Sequence, residues 1–298
     1  MSVNLPTHFV REYATNIQLL LQQKGSKLRD AVTTGMYVGD QASPVDQIDS
    51  VEMQQVTTRF GAMPRVDAAT ARRWVFPTDF DLPQLIDKFD KLRMLTDPES
   101  AYVTNAVMAA GRKMDSLIIT AFQGTAKTGV AGATSTSFTS GNEVDVAVGG
   151  SQSRLNVPKL HAVKELIRAA HIDPDEDPCY VGVTAKDESA LLQEIQMTNR
   201  DYTGGDVPIL KEGKLVRFLG LNFKYCELIE SIAAGTNEVT VPVWARSGMH
   251  LGLWNDVKTE IDRRTDLQGI PWQAYVYLTI GATRLDEEKV FAIESYRA

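Results

Sequence analysis

One segment constrains this chain more than any other. From Pro98 to Gln123 the sequence reads as a single long helix. Asp97 stands ready to cap it, Pro98 takes the first helical position and Gly124 closes it. Val103, Ala106, Val107, Ala110, Met114, Leu117, Ile118 and Ala121 return at three- and four-residue steps and draw one apolar stripe. At 1.5 Å per residue such a helix is about 39 Å long, roughly twice the usual globular length. A helix that long with only one stripe serves as a beam on which other parts are hung.

Around the beam the chain changes character. Upstream, His8 to Val32 carries helical spacing (Phe9, Tyr13, Ile17, Leu20, Leu21, Leu28), and the Gly-, Asp- and Ser-containing stretch GMYVGDQASPVDQIDS follows. An N-terminal arm that docks elsewhere and a plain first helix both fit this pattern. Residues 50–81 then read as a long β-hairpin, with VEMQQVTTRF and ATARRWVFP as strands and Gly61 and Pro64 marking the far end. This hairpin is rich in arginine (Arg59, Arg65, Arg72, Arg73), whereas the stretch leading to the beam is acidic and ends in Asp97 and Glu99. A solvated hairpin is one reading. A hairpin lying over an acidic neighbour is the sharper one.

Downstream comes a run from Gly124 to Ser153 rich in Gly, Ser, Thr and Ala, with Glu143 to Val148 alternating like a strand. An α/β portion follows. Pro158 to His171 reads as an amphipathic helix and Cys179 to Val183 as a buried strand. Thr184 with Asp187 makes a capping-box start to the next helix. GKLVRFLGLNFKYCELI reads as two strands turning at Gly220. Two strands, His250 to Trp254 and Val257 to Ile261, flank Asn255-Asp256. A long strand from Trp272 to Thr283 and a closing strand from Val290 to Ser295 end the chain.

Chemistry is hard to find. The four histidines, His8, His161, His171 and His250, have no metal-ligand spacing with one another or with Cys179 and Cys226. GTAKTGVAG lacks the Lys and Ser/Thr of a phosphate loop, because Val130 and Ala131 stand there. Asp173, Asp175 and Asp177 alternate like the opening of a calcium loop, but Pro178 occupies the glycine position and Thr184 that of the bidentate Glu. The expectation is therefore no catalytic residue, no metal and no cofactor. The balance of 31 Lys+Arg against 38 Asp+Glu, net −7, argues against a protein whose main task is gripping nucleic acid. No apolar run approaches a membrane span, so no membrane partner is expected.

The order of parts resembles the major capsid proteins of tailed bacteriophages with the Hong Kong 97-type fold. DPESAYVTNAVMAAGRKMDSLIITAFQGTAKTG is similar to that family's spine helix and its exit, including Arg112, Asp115 and Gly124. GKLVRFLGLNFKYCELI resembles the strand pair of its axial domain. WQAYVYLTIGATRLDEEKVFAIES resembles its long peripheral strand, with Arg284, and its closing strand.

The resemblance implies an α+β fold with four parts: an N-terminal arm (1–50), an extended hairpin or E-loop (51–81), a peripheral domain (82–151 with 249–285, spine helix 98–123) and an axial domain (152–248 with 286–298). It implies a shell of hexamers and pentamers of this chain around double-stranded DNA, touched non-specifically, with separate scaffolding and portal proteins. Assembly would take place in the host cytoplasm and the product would be the virion. On this reading Arg59, Arg65, Arg72, Arg73, Asp97 and Glu99 are candidates for contacts between subunits. Gly111, in the middle of the beam, is a candidate hinge. An encapsulin-type compartment shares the fold and stays open at this point, as do a tail or adhesion component and an enzyme of unrecognised class.

Overall fold

The computed structural model describes residues 22–55, 58–59, 61, 65–86, 99–148, 150–194, 215–235, 237–268 and 270–297. In chain order the elements begin with β1 (Thr33–Met36), β2 (Ala42–Ile48), β3 (Thr70–Val75) and β4 (Thr78–Ile86). Helix α1 (Glu99–Gln123) follows, then β5 (Ala126–Thr128), β6 (Thr134–Thr136), β7 (Glu143–Val144) and helix α2 (Val157–Ala169). Next come β8 (Cys179–Val183), helix α3 (Ala185–Leu192), β9 (Arg217–Phe218), β10 (Leu221–Tyr225) and β11 (Ala233–Gly235). The chain ends with β12 (Glu238–Ala245), β13 (Met249–Arg263), β14 (Trp272–Arg284) and β15 (Val290–Tyr296).

Three sheets result, with strand orders β1-β13-β14-β4, β7-β15-β12-β8-β10-β9 and β2-β3-β5-β6. The described chain falls into two compact units. One comprises Met1–Gly25, Asp79–Arg112 and Val257–Leu278, the other Ser26–Thr78, Lys113–Asp256 and Thr279–Ala298. Thus α1, β13 and β14 each run from one unit into the other.

The second sheet carries the main core. Its strands are β-branched and apolar, and Val181, Val183, Val241, Val243, Phe291 and Ile293 are buried. α2 covers it with Leu160, Val163 and Ile167, a stripe at three- and four-residue spacing. Asn156 caps that helix by accepting from the Lys159 N–H at 3.1 Å, and Pro158 lies in its first turn. α3 starts at the expected capping box, in which Asp187 accepts from the Thr184 N–H (3.3 Å) and hydroxyl (2.8 Å). β9 and β10 turn at Leu219 and Gly220, both at positive φ (54° and 86°), which glycine tolerates at the second position without steric cost.

Several local expectations need correction. The stripe of α1 that is buried is Ala106, Ala110, Met114, Ile118 and Phe122, with Ile119 beside it, while Val107 is exposed. The hairpin's limbs are β2 and β3, antiparallel with Asp46 opposite Arg72 and Gln47 opposite Ala71. Its first limb is thus SPVDQI, upstream of VEMQQ, and residues 51–55 and 65–69 form no strand. Pairing with β3 overrides the propensity of VEMQQ.

The two strands read on either side of Asn255-Asp256 are one, because β13 runs unbroken through these residues. β1 pairs only with the start of β13, His250 to Leu253, and farther along Asp256 forms an ion pair with Arg29 (2.7 Å). β7 is shorter than the expected strand and lies parallel to β15. The expected arm helix, His8 to Val32, lies outside the described residues as far as Leu21. From Gln22 to Val32 the chain is not α-helical and has only a 3-10 turn at Arg29–Ala31.

Candidate assembly surface

The segment from Ser26 to Leu28 is tied down by one carboxylate. Asp115, fully buried on α1, accepts from the Ser26 hydroxyl (2.5 Å) and from the backbone N–H groups of Lys27 (2.9 Å) and Leu28 (3.1 Å). Three donors on one ionised acceptor make a charge-assisted anchor. Trp244 Nε1 adds a bond to the Ala31 carbonyl at 2.8 Å. In the other unit, Arg112 donates to Gln22 Oε1 (2.6 Å), and Gln22 donates to Asn105 Oδ1 (2.8 Å).

A second buried charge fixes the end of α1. Arg284, with no exposed surface, donates from Nη1 to the carbonyls of Phe122 (2.6 Å), Ala121 (3.2 Å) and Gly124, and from Nη2 to that of Thr136 (3.2 Å). The last carbonyls of a helix have no partner within it, and a cation is favoured at that end of its dipole. Nε of the same guanidinium meets Glu287 at 2.8 Å. Neither Asp115 nor Arg284 can be assigned a role from spacing. The signal is a charged residue on an otherwise apolar face, and the resemblance marks both positions without explaining them.

The hairpin arginines divide into two kinds. Arg73 is buried. Its Nε donates to the Leu285 carbonyl (3.0 Å), which also accepts from Gln47 Nε2 (2.5 Å), and Nη2 lies 3.4 Å from Glu287. Its own chain encloses Arg73, which is 6% exposed. Arg72 is exposed. It forms a two-pronged pair with Asp46 across the strands (2.5 and 3.0 Å) and lies over the Trp74 ring, 5.7 Å from its centre. Arg65 pairs locally with Asp67 at 2.9 Å, and Arg59 is exposed.

Along the same part of the chain Met36, Val38, Ile48, Val51, Met53 and Val66 present apolar side chains to solvent. A cavity of about 760 Å³ at the base of the hairpin is lined by Ile48, Arg72, Trp74 and Val130, among others. Gly111 is buried within α1. Asp97 and the side chain of Glu99 lie outside the described residues.

Among the described residues no group of three or more His, Cys, Asp or Glu side chains is placed to hold a metal. The aspartates of the calcium-like run are engaged elsewhere: Asp173 with Arg168, Asp175 with Arg217, and Asp177 with the Ser247 N–H and hydroxyl. Cys179 and Cys226 are buried free thiols, and burial raises their pKa to about 12 and about 11. No described helix is long and apolar enough to cross a membrane.

The sequence model of a family described as phage capsid protein matches residues 5–296. The chain belongs to that family. Capsid proteins of solved structure share its fold across nearly the whole length. The chain from the cyanophage Pam1 capsid asymmetric unit is 12% identical, with a TM-score of 0.76, covering 100% of this chain and 99% of that one. The capsid structure of cyanophage P-SCSP1u gives 14% identity and a TM-score of 0.74, covering 98% and 93%. Mycobacterium phage Che8 gives 14% and 0.70, covering 97% and 98%. No curated protein matches the sequence. Family and fold make this a major capsid protein of the Hong Kong 97-type architecture, a structural subunit of the virion. They favour a phage shell over the cargo compartment, tail component and enzyme left open by the sequence.

Proposed function

We propose that this capsid protein assembles through hexamers and pentamers into a closed icosahedral head around double-stranded DNA, and that it performs no catalysis. The observation that carries the assembly reading is the set of apolar side chains on the hairpin and its approach, Met36, Val38, Ile48, Val51, Met53 and Val66, which are exposed among the described residues. Covering a fully exposed side chain of this size is worth about 1.5–3 kcal/mol, so a neighbouring copy gains from lying on them. The net charge of −7 argues against tight gripping of nucleic acid and leaves room only for passive, non-specific contact with packaged DNA. Separate scaffolding and portal proteins and assembly in the host cytoplasm complete the reading.

In this scheme residues 1–50 are the arm, 51–81 the reaching loop, 82–151 with 249–285 the peripheral part and 152–248 with 286–298 the axial part. Arg59, Arg65 and Arg72 pair with Asp97 and Glu99 of neighbours, and Gly111 eases a bend of α1. Electron microscopy of the purified chain, co-expressed with head-assembly proteins, tests the proposal. Uniform closed shells are expected from the wild type, and far fewer from Val51→Ser with Met53→Ser at unchanged monomer stability. A chain that stays monomeric throughout overturns it.

A further inference from the structure

β1 is four residues long and lies parallel to β13, with Thr33 opposite His250 and Met36 opposite Leu253. So short a ladder offers few backbone bonds, and side chains decide whether it stays closed. His250 supplies two of them. Its Nδ1 lies 2.9 Å from Thr33 Oγ1 and its Nε2 2.9 Å from the Tyr37 hydroxyl. Thr33 has one hydroxyl proton, which goes to the Met249 carbonyl at 2.8 Å. Towards the ring the Thr33 oxygen can therefore only accept, so Nδ1 carries the ring proton and Nε2 accepts from Tyr37. The neutral imidazole uses both nitrogens, each with the partner that it requires.

A second proton breaks this match. Imidazolium donates from both nitrogens, so Tyr37 would have to turn its own proton away from Nε2. The ring is only 5% exposed, with Tyr37 set edge-on at 5.7 Å. The groups that face its nitrogens are Thr33 and Tyr37 from β1 and its continuation, and burial raises the Tyr37 pKa, which keeps that group neutral. Of the charged groups flanking this ladder, Arg29 and Asp256 bind each other, and Lys258, Glu260, Asp262 and Arg263 lie farther along β13, beyond the stretch that pairs with β1.

We propose that His250 is an acid-sensitive latch, holding β1 against β13 while neutral and releasing it on taking up a proton. Release would free the stretch between the arm anchor at Ser26–Ala31 and the hairpin limb β2, and so loosen the connection between arm and hairpin without unfolding the main core.

The sign follows from burial, the sole cause that lowers the His250 pKa from 6.5 to about 4. The open strand exposes the ring, which then binds a proton below about pH 6.5, whereas the closed form resists until about 4. The open-to-closed ratio should rise on acidification by about 80-fold between pH 6.5 and 4, steepest, at close to tenfold per pH unit, midway between the two values.

Hydrogen exchange on the full chain tests the latch. Rates are corrected for intrinsic pH dependence, and peptides from β12 serve as the internal reference. Between pH 6.5 and 4.5, protection of residues 33–38 should fall about 40-fold relative to β12 in the wild type. It should stay flat in His250→Gln, whose amide does not titrate. Unchanged wild-type protection, or an equal fall in His250→Gln, overturns the proposal. An NMR titration of the wild-type ring reads the same question without a variant. A midpoint well below 6.5, with β1 exchange rising as pH falls, supports the latch, and a midpoint near 6.5 with β1 still protected refutes it.

Discussion

Strand β12 buries seven of its eight residues, whereas the chain from Met36 to Val66 leaves Met36, Val38, Ile48, Val51 and Met53 in solvent. Both regions draw on the same apolar residue types. In the first, every valine meets another side chain of the subunit, and polar groups close the edges. Asp187 accepts from Arg297 (2.7 and 2.8 Å) and Ser295 (3.1 Å), and the buried Lys159 ammonium donates to the carbonyls of Ser153 (2.6 Å) and Glu294 (2.8 Å). In the second, the described residues of the subunit leave these side chains exposed. Apolar composition alone does not distinguish a core from a contact surface. What distinguishes them is whether the chain itself returns to cover the residues.

The largest effect should come from breaking the polar closure of the buried sheet. Asp187→Ala leaves the Arg297 guanidinium, which is only 6% exposed, with Glu230 at 3.1 Å as its remaining ion-pair partner, and should cost about 3 kcal/mol in urea unfolding. A loss below about 1 kcal/mol would show that hydrocarbon packing alone holds that region.

A middle-sized effect separates the two hairpin arginines. Arg73→Ala removes a charged donor from the buried Leu285 carbonyl and should destabilise the subunit by about 1.5–3 kcal/mol. Arg72→Ala should leave the urea midpoint unmoved and lower only the yield of shells. Equal effects on folding would erase the distinction between the two regions at adjacent residues.

The smallest effect concerns Gly111→Ala, which should raise helix stability by about 1 kcal/mol if α1 needs freedom to bend there. Reduced precursor yield with an unshifted mature helix sharpens the hinge reading. Normal precursors with a displaced helix replace it with close packing.

These contrasts also explain what the sequence could and could not reveal. Cys179–Val183, the capping box at Thr184 and Asp187, the turn at Gly220 and the long strand from Trp272 are legible because local chemistry and burial agree there. β2 was hidden. SPVDQI has a proline and an aspartate, and becomes a strand only because β3 pairs with it. The unbroken run of β13 through Asn255-Asp256 was hidden for the same reason, since its partners lie elsewhere in the chain. The arginines reveal the general limit. Arg72 and Arg73 are neighbours in sequence, and the alternation of strand faces sends one to solvent and the other inward. Their division was readable from periodicity, but which face was the inner one was not. Asp115 and Arg284 were visible only as charges in apolar company.

Arg284 has a mechanical consequence. Its guanidinium grips the carbonyls of Ala121, Phe122 and Gly124 at once, and so rivets the end of β14 to the end of α1. Bonds arranged side by side share a pull along the helix and fail together, where bonds in series would yield one at a time. A tug on this end of α1 is thus passed into β14 as a stretch along the strand. The joint would slip only when the whole fork lets go.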